Sequence, residues 1–349
     1  MRLGTLTGGG DCPGLNAVIR AVVLTGERVH GDAVVGFLDG WRGVLEGDTT
    51  ELTTDRCFDI HPLGGTILGT SRTNPFATED GGSRLLATVE RLGLDAIVAI
   101  GGEDTLGVAA RLHSMGVGVV GVPKTIDNDL SGTEVTFGFD TAVQIATEAI
   151  DRLRTTAESH HRVIVCEVMG RHTGWIAAHA GIAAGAAEIL VPERPFDLAV
   201  VCDRLRRRHE RGRFSSIVVV SEGAFPAPGE DAESARLATK STSVDPFGHA
   251  RLGGIGDWLA VEIERATGYE ARVTTLGHIQ RGGTPTAFDR LLATRFGVAA
   301  VAAVHDGAFG QMVALEAGRI IRVPLGVAVG TSKTLDLSLL DEVAAPFLG

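Results

Sequence analysis

Two short segments carry the residues best equipped for chemistry: Gly101-Gly102-Glu103-Asp104-Thr105 and Pro123-Lys124-Thr125-Ile126-Asp127-Asn128-Asp129. Each follows an apolar run that reads as a buried strand, where a parallel sheet presents its loops to ligand. The residue types suit phosphoryl transfer. Asp127 and Asp129 offer a general base and a partner that orients it or a metal, against the ordinary reading of an Asx-rich turn. Lys124 supplies a movable point charge for phosphate oxygens. Glu103 is a hard oxygen ligand suited to Mg²⁺. Gly101 and Gly102 let backbone approach a phosphate, and Thr105 is expected to cap the next helix. Asp104 reads in the ordinary way as a helix-dipole partner, yet beside a phosphate it is repulsive. Two unit charges about 4 Å apart cost about 4 kcal/mol at an effective dielectric of about 20. Such a residue can exclude a longer polyphosphate.

A third candidate is Thr7-Gly8-Gly9-Gly10-Asp11-Cys12-Pro13-Gly14, where a strand ends and a helix is expected to begin near Pro13. Backbone N–H groups at a helix start attract phosphate, and proline in a first turn costs no hydrogen bond. The competing reading is an ordinary tight turn. A dinucleotide fingerprint needs glycine where Pro13 stands, which disfavours an oxidoreductase. Arginine-bearing segments recur at strand ends: Thr70-Ser71-Arg72, Arg162, Met169-Gly170-Arg171, Arg272 and Gly277-His278-Ile279-Gln280-Arg281, with Glu222 closing another strand. Singly each reads as surface charge; as a set in an acidic protein they point to an anionic sugar. His160 and His161 do not read as a metal pair.

The elements that must position these residues are strands alternating with helices. Strand-like runs are Leu3–Thr7, Ala33–Leu38, Ala96–Ile100, Val117–Val122, Val163–Val168, Ile189–Pro192, Ile217–Ser221 and Val273–Leu276. Helical patterns cover Leu15–His30, Ser83–Leu92, Thr105–Met115, Thr141–Thr155, Trp175–Ala184, Leu198–Arg211, Trp258–Thr267 and Ala287–Val304. That alternation predicts α/β architecture with mostly parallel sheets. Hydrophobic residues make up 44% of the chain but aromatics only 5%, so the cores are aliphatic, as buried parallel strands require. At 349 residues there is room for two domains. The formal charge of −11 argues against nucleic acid and anionic membrane as partners. The six arginines of Arg204–Arg213 read as a solvated helix face. Four scattered cysteines read as reduced thiols, and no leader or membrane-spanning run is recognisable, so a soluble cytoplasmic protein is expected.

Taken together and in this order, Gly8–Asn16, Gly101–Thr105, Lys124–Asp129, Met169–Arg171 and Gly277–Gly283 resemble the 6-phosphofructokinase family over about residues 1 to 305. The chain is most similar to the bacterial group in which pyrophosphate and ATP users are mixed. The resemblance implies two Rossmann-like three-layer domains with the active site in the cleft between them. It places Gly10 and Gly102 on the donor phosphate, with Asp104 and Lys124, and Glu103 on magnesium, where aspartate is commoner. Asp127 would take the proton from the 1-hydroxyl of fructose 6-phosphate, with Asp129 assisting. Arg72 and Arg171 would neutralise charge in the transition state. Thr125 would contact the transferring phosphoryl or the sugar, and Ile126, Met169, Gly170, Glu222, His278, Ile279, Gln280 and Arg281 would line the sugar phosphate, Gln280 without an individual role. Arg162 and Arg272 would reach a neighbouring subunit's site, which implies a homo-oligomer, dimer or tetramer.

The resemblance also implies a donor. ATP users carry glycine at position 104 and often in place of Lys124; pyrophosphate users carry aspartate and lysine there. Both the resemblance and the repulsion at Asp104 therefore favour pyrophosphate and a reversible reaction. The alternatives are an ATP-dependent 6-phosphofructokinase and a non-catalytic phosphosugar sensor. A lipid or NAD kinase would leave Met169–Arg171 and Gly277–Gly283 unexplained. Leu24 stands where an effector-binding arginine is expected beside Arg20 and Arg154, so allosteric control is expected to be weak. The expected division is 1–138 plus about 279–305 for the donor and 139–278 plus about 306–349 for the sugar phosphate, with 224–249 an insertion loop.

Overall fold

The computed structural model describes residues 1–239, 247 and 252–349. Among the described residues there are eleven strands: β1 (Arg2–Thr7), β2 (Ala33–Phe37), β3 (Thr49–Leu52), β4 (Ala96–Gly101), β5 (Val119–Pro123), β6 (Val163–Val168), β7 (Glu188–Leu190), β8 (Ser216–Ser221), β9 (Ala271–Thr275), β10 (Gln311–Glu316) and β11 (Arg319–Pro324). They form a seven-stranded sheet ordered β11-β10-β5-β4-β1-β2-β3 and a four-stranded sheet ordered β7-β8-β6-β9. The smaller sheet is all parallel. In the larger one only the outermost pairs, β2–β3 and β10–β11, are antiparallel.

The chain divides into two compact units. The first holds Met1–Thr141 and Arg281–Lys333, and the second holds 142–239, 252–280 and Thr334–Gly349. Residues 306–333, expected with the sugar-phosphate domain, belong to the first unit. The reason is pairing: β10 runs parallel to β5, and β11 folds back on β10 through Ala317 and Gly318, both at positive φ. The insertion expected at 224–249 is not all loop, because Glu230–Thr239 is helical; 240–246, 248 and 249 lie outside the described residues.

Each unit has its own aliphatic core. In the first, Leu6, Ile97, Ala99 and Val119 of the central strands pack with Leu106, Ala109 and Leu112 of the helix Glu103–Ser114. In the second, Val163, Val165, Val218 and Val220 pack with Leu205, Leu259 and Ile263. β4 and β8 are buried along their whole length, which explains why their sequences run apolar without alternation. Among the described residues no helix is long and apolar enough to cross a membrane.

Candidate active site

Register brings the candidate segments of the first unit together. Thr7 lies beside Ile100, and Gly101 beside Pro123, so β1, β4 and β5 end at one edge. From that edge issue the loop Gly8–Gly14, the acidic pair Glu103-Asp104 and the loop Lys124–Asp129. Backbone bonds lace the edge together, with Gly8 N donating to Ile100 O at 2.9 Å and Lys124 N to Gly101 O at 3.0 Å.

The glycine loop is built on close approach. A Cβ on Gly8 would lie 2.5 Å from Thr105 Oγ1, and one on Gly101 would lie 2.3 Å from Thr105 Cβ. Thr105 therefore fills the space these glycines leave. It does not cap the helix: Glu103 and Asp104 are already its first turn, and Gly102 is the N-cap residue in extended conformation. Nor does Pro13 open its helix, which starts at Leu15 after Gly14 at φ 104°. Gly9 also has positive φ, at 81°.

Two cations converge on this loop. Lys124 is only 4% exposed, and its Nζ donates to Gly10 O at 2.5 Å. Burial lowers its pKa; Arg281 pushes the same way, while Cys12, Asp127 and Asp129 oppose. Arg281 Nη1 donates to Asp11 O at 3.3 Å and would sit 2.5 Å from a Cβ on Gly10. The Thr70-Ser71-Arg72 segment joins them: Gly9 N donates to Ser71 O at 3.2 Å and Thr70 Oγ1 to Gly9 O at 2.6 Å. Arg72 itself is exposed. Cys12, buried under the loop, has its thiol pushed up to about 12 by desolvation, which makes it inert.

The aspartate loop is equally ordered. Thr125, Ile126, Asp127 and Asn128 are all buried. Thr125 Oγ1 accepts from Asp127 N at 3.1 Å, and Thr136 Oγ1 donates to Thr125 O at 2.8 Å. Asn128 holds the left-handed region at φ 52°, and its Oδ1 accepts from Thr136 N at 3.1 Å.

In the second unit β6 and β8 end in register at Val168 and Ser221. Met169-Gly170-Arg171 and Glu222 follow them. Arg171 is at φ 55°, and its N–H donates to Glu222 Oε1 at 3.0 Å. Glycine is required at 170, where φ is 155° and a Cβ would meet Thr173 O at 2.4 Å. Arg162 and Arg272 share Glu270, at 2.7 and 2.5 Å, and Arg272 also faces Glu264 at 3.6 Å. His278 and Ile279 are exposed, whereas Gln280 is buried and donates to Gly277 O at 3.1 Å.

A glycine loop, two buried or half-buried cations and an acid-bearing loop at one strand edge suit phosphate chemistry. A family profile described as Phosphofructokinase matches residues 2–304. The chain belongs to the phosphofructokinase family. It is 58% identical over 348 residues to the pyrophosphate–fructose 6-phosphate 1-phosphotransferase of Streptomyces coelicolor, covering 99% of this chain and 100% of that one. It is 55% identical over 335 residues to ATP-dependent 6-phosphofructokinase 3 of the same organism, covering 96% of each. Among solved structures, Pichia pastoris phosphofructokinase in the T-state aligns over 94% of this chain with a TM-score of 0.83 and 32% identity. This chain spans about a third of that protein's length, 35%.

Family membership makes magnesium the implied cofactor, and the residues fit it. Among the described residues no cluster of three metal-ligating side chains exists. Mg²⁺ needs none, since it is held by one or two carboxylates together with substrate phosphates and water. Glu103 lies in the first helical turn at the edge where β1, β4 and β5 end, and its carboxylate is of the type that would hold the ion.

Residues outside the anticipated set also build the site. Asn16, buried, donates to Leu63 O at 3.1 Å and accepts from Ile67 N at 2.8 Å, tying 63–67 to the helix behind the glycine loop. Lys333 reaches the aspartate loop from far along the chain, its Nζ donating to Asn128 Oδ1 at 2.9 Å. Burial lowers the Lys333 pKa to about 8.

Proposed function

We propose that this protein transfers a phosphoryl group from pyrophosphate to the 1-hydroxyl of fructose 6-phosphate, giving fructose 1,6-bisphosphate and phosphate, and that it runs in both directions. The observation that carries the reading is the shared edge of β1, β4 and β5, which aligns the glycine loop, Glu103-Asp104 and Lys124–Asp129. The relatives named as pyrophosphate enzymes, at 58–59% identity, stand slightly above those named as ATP-dependent, at 52–55%. Asp104 supports the same donor, because its charge opposes the additional phosphate of a nucleotide.

In this mechanism the Gly10 N–H, Gly102, Lys124 and Arg281 hold donor oxygens. Asp127 accepts the proton of the 1-hydroxyl as that oxygen attacks phosphorus and the bond to the departing phosphate breaks. Thr125 and the buried Ile126 shape the floor beside the base. Arg72 and Arg171 neutralise charge on the transferring group. Magnesium, with Glu103 as its protein carboxylate, supplies further neutralisation of phosphate oxygens when bound. Met169, Gly170, Glu222, His278, Ile279 and Gln280 form the sugar-phosphate side. Arg162 and Arg272 serve a neighbouring copy in a homo-oligomer, exchanging Glu270 for a phosphate. Reduced, buried thiols suit a cytoplasmic setting.

The test is Asp127→Asn, which removes the base and keeps the shape. Turnover should fall about 10²–10⁴-fold, the usual worth of a positioned base, with fructose 6-phosphate binding retained. Near-wild-type turnover would remove Asp127 from this role.

A further inference from the structure

Residues 331–333 lie antiparallel along the aspartate loop. Leu130 bridges Ser332, Ser131 Oγ donates to Thr331 O at 2.6 Å, and Lys333 N donates to Asp129 O at 2.8 Å. This strap ends in the Lys333 side chain. Its ammonium donates to Asn128 Oδ1 at 2.9 Å, Thr133 O at 3.0 Å and Glu134 O at 2.8 Å. Three oxygens thus lie within hydrogen-bond distance of the ammonium. The position lies outside the stretch that matches the family profile, which ends at residue 304.

The target of this clamp is informative. Asn128 is the one residue between Asp127 and Asp129, and it holds φ 52°, a region that costs energy for a residue with a Cβ. Such a conformation persists where its surroundings over-determine it. Here the same Oδ1 receives Thr136 N at 3.1 Å and the Lys333 ammonium at 2.9 Å. Rotation of Asn128 out of this conformation would swing the Asp127 carboxylate away from its line of action. A bond to a charged donor is worth more than a neutral one, so the ammonium is the strong member of the clamp.

We infer that Lys333 is a positioning residue for the transfer reaction: through Asn128 it locks the left-handed turn that aims Asp127. The inference rests on Asp127 being the base. Lys333 touches neither substrate nor donor in this account. Its loss should therefore act on kcat and leave both KM values nearly unchanged, since a displacement of about 1 Å in a reacting group can cost about 10²-fold.

The experiment compares Lys333→Met and Lys333→Arg with the wild type, by steady-state kinetics and by amide hydrogen exchange over 125–136. K333M should lower kcat ten- to hundredfold, hold both KM values within about threefold, and speed exchange in that segment. K333R keeps the charge and the donors, and should recover part of the lost kcat and protection. Unchanged kcat in K333M, a loss confined to KM, or equal losses in both variants would overturn the inference. Exchange needs no turnover, so unchanged protection in K333M overturns it even if Asp127 proves not to be the base; wild-type turnover reports on the reaction separately.

Discussion

Replacing Asp104 separates two ways in which one side chain can reject ATP, by charge and by bulk. Asp104 is half-buried in the first turn of the helix Glu103–Ser114, whose N-cap residue Gly102 gives no side-chain cap. A carboxylate there gains about 0.3–1 kcal/mol from the helix dipole, and glycine in a helix costs about 1 kcal/mol more than alanine. Aspartate is itself a poor helix former, within about 0.5 kcal/mol of glycine, so Asp104→Gly should cost about 1 kcal/mol of stability. Against that, relief of a repulsion of about 4 kcal/mol is worth about 10³-fold in kcat/KM for ATP. Asp104→Asn removes the charge, keeps the bulk and spares the helix the glycine. If charge is the device, both variants gain with ATP, and D104N loses little stability. The assay is kcat/KM for each donor at saturating fructose 6-phosphate, paired with denaturant unfolding. A gain below tenfold in both variants would refute the repulsion; a gain in D104G alone would replace charge with bulk.

Two further outcomes follow from burial. Asp289 is fully buried, accepts from Thr141 N at 2.8 Å and Thr141 Oγ1 at 2.6 Å, and burial raises it from 3.8 to about 6. A group that binds its proton more tightly when folded favours the fold below that window and disfavours it above, so its contribution falls as pH rises from about 4 to about 6. The stability of Asp289→Asn relative to wild type should rise over that window by up to about 3 kcal/mol; a difference independent of pH would contradict this. Gly8→Ala should destabilise by about 1–3 kcal/mol through collision with Thr105, and Thr105→Ala in the same chain should relieve most of it, because the Thr105 Cβ alone stays 3.3 Å away. Additive losses in the double variant would show the strain lies elsewhere.

The parallel core was readable because its central strands, β4, β5, β6 and β8, are buried along their whole length and strands alternate with helices. β3, β10 and β11 escaped that reading. β3 and β11 are edge strands paired antiparallel with no crossover helix between partners, and β11 has no buried residue; β10 pairs parallel with β5 on one side and antiparallel with β11 on the other. Placing 306–333 required β10, so the expected division moved with it. Segments next to strand ends were legible because, within each sheet, parallel pairing ends neighbouring strands in register. Thr105 was misread because an extended Gly102 lets the helix start two residues earlier. Lys333 left no local signal: it lies 205 residues from Asn128, in a Thr/Ser-rich stretch, and only folding brings it to the aspartate loop. Arg281, grouped in sequence with His278, turned out to lean on the glycine loop of the first unit.

The most direct test of the account is a paired donor assay with Mg²⁺, fructose 6-phosphate and either pyrophosphate or ATP, followed by the reverse reaction from fructose 1,6-bisphosphate and phosphate. Turnover is expected with pyrophosphate in both directions and little or none with ATP. Appreciable turnover with ATP and none with pyrophosphate would contradict it.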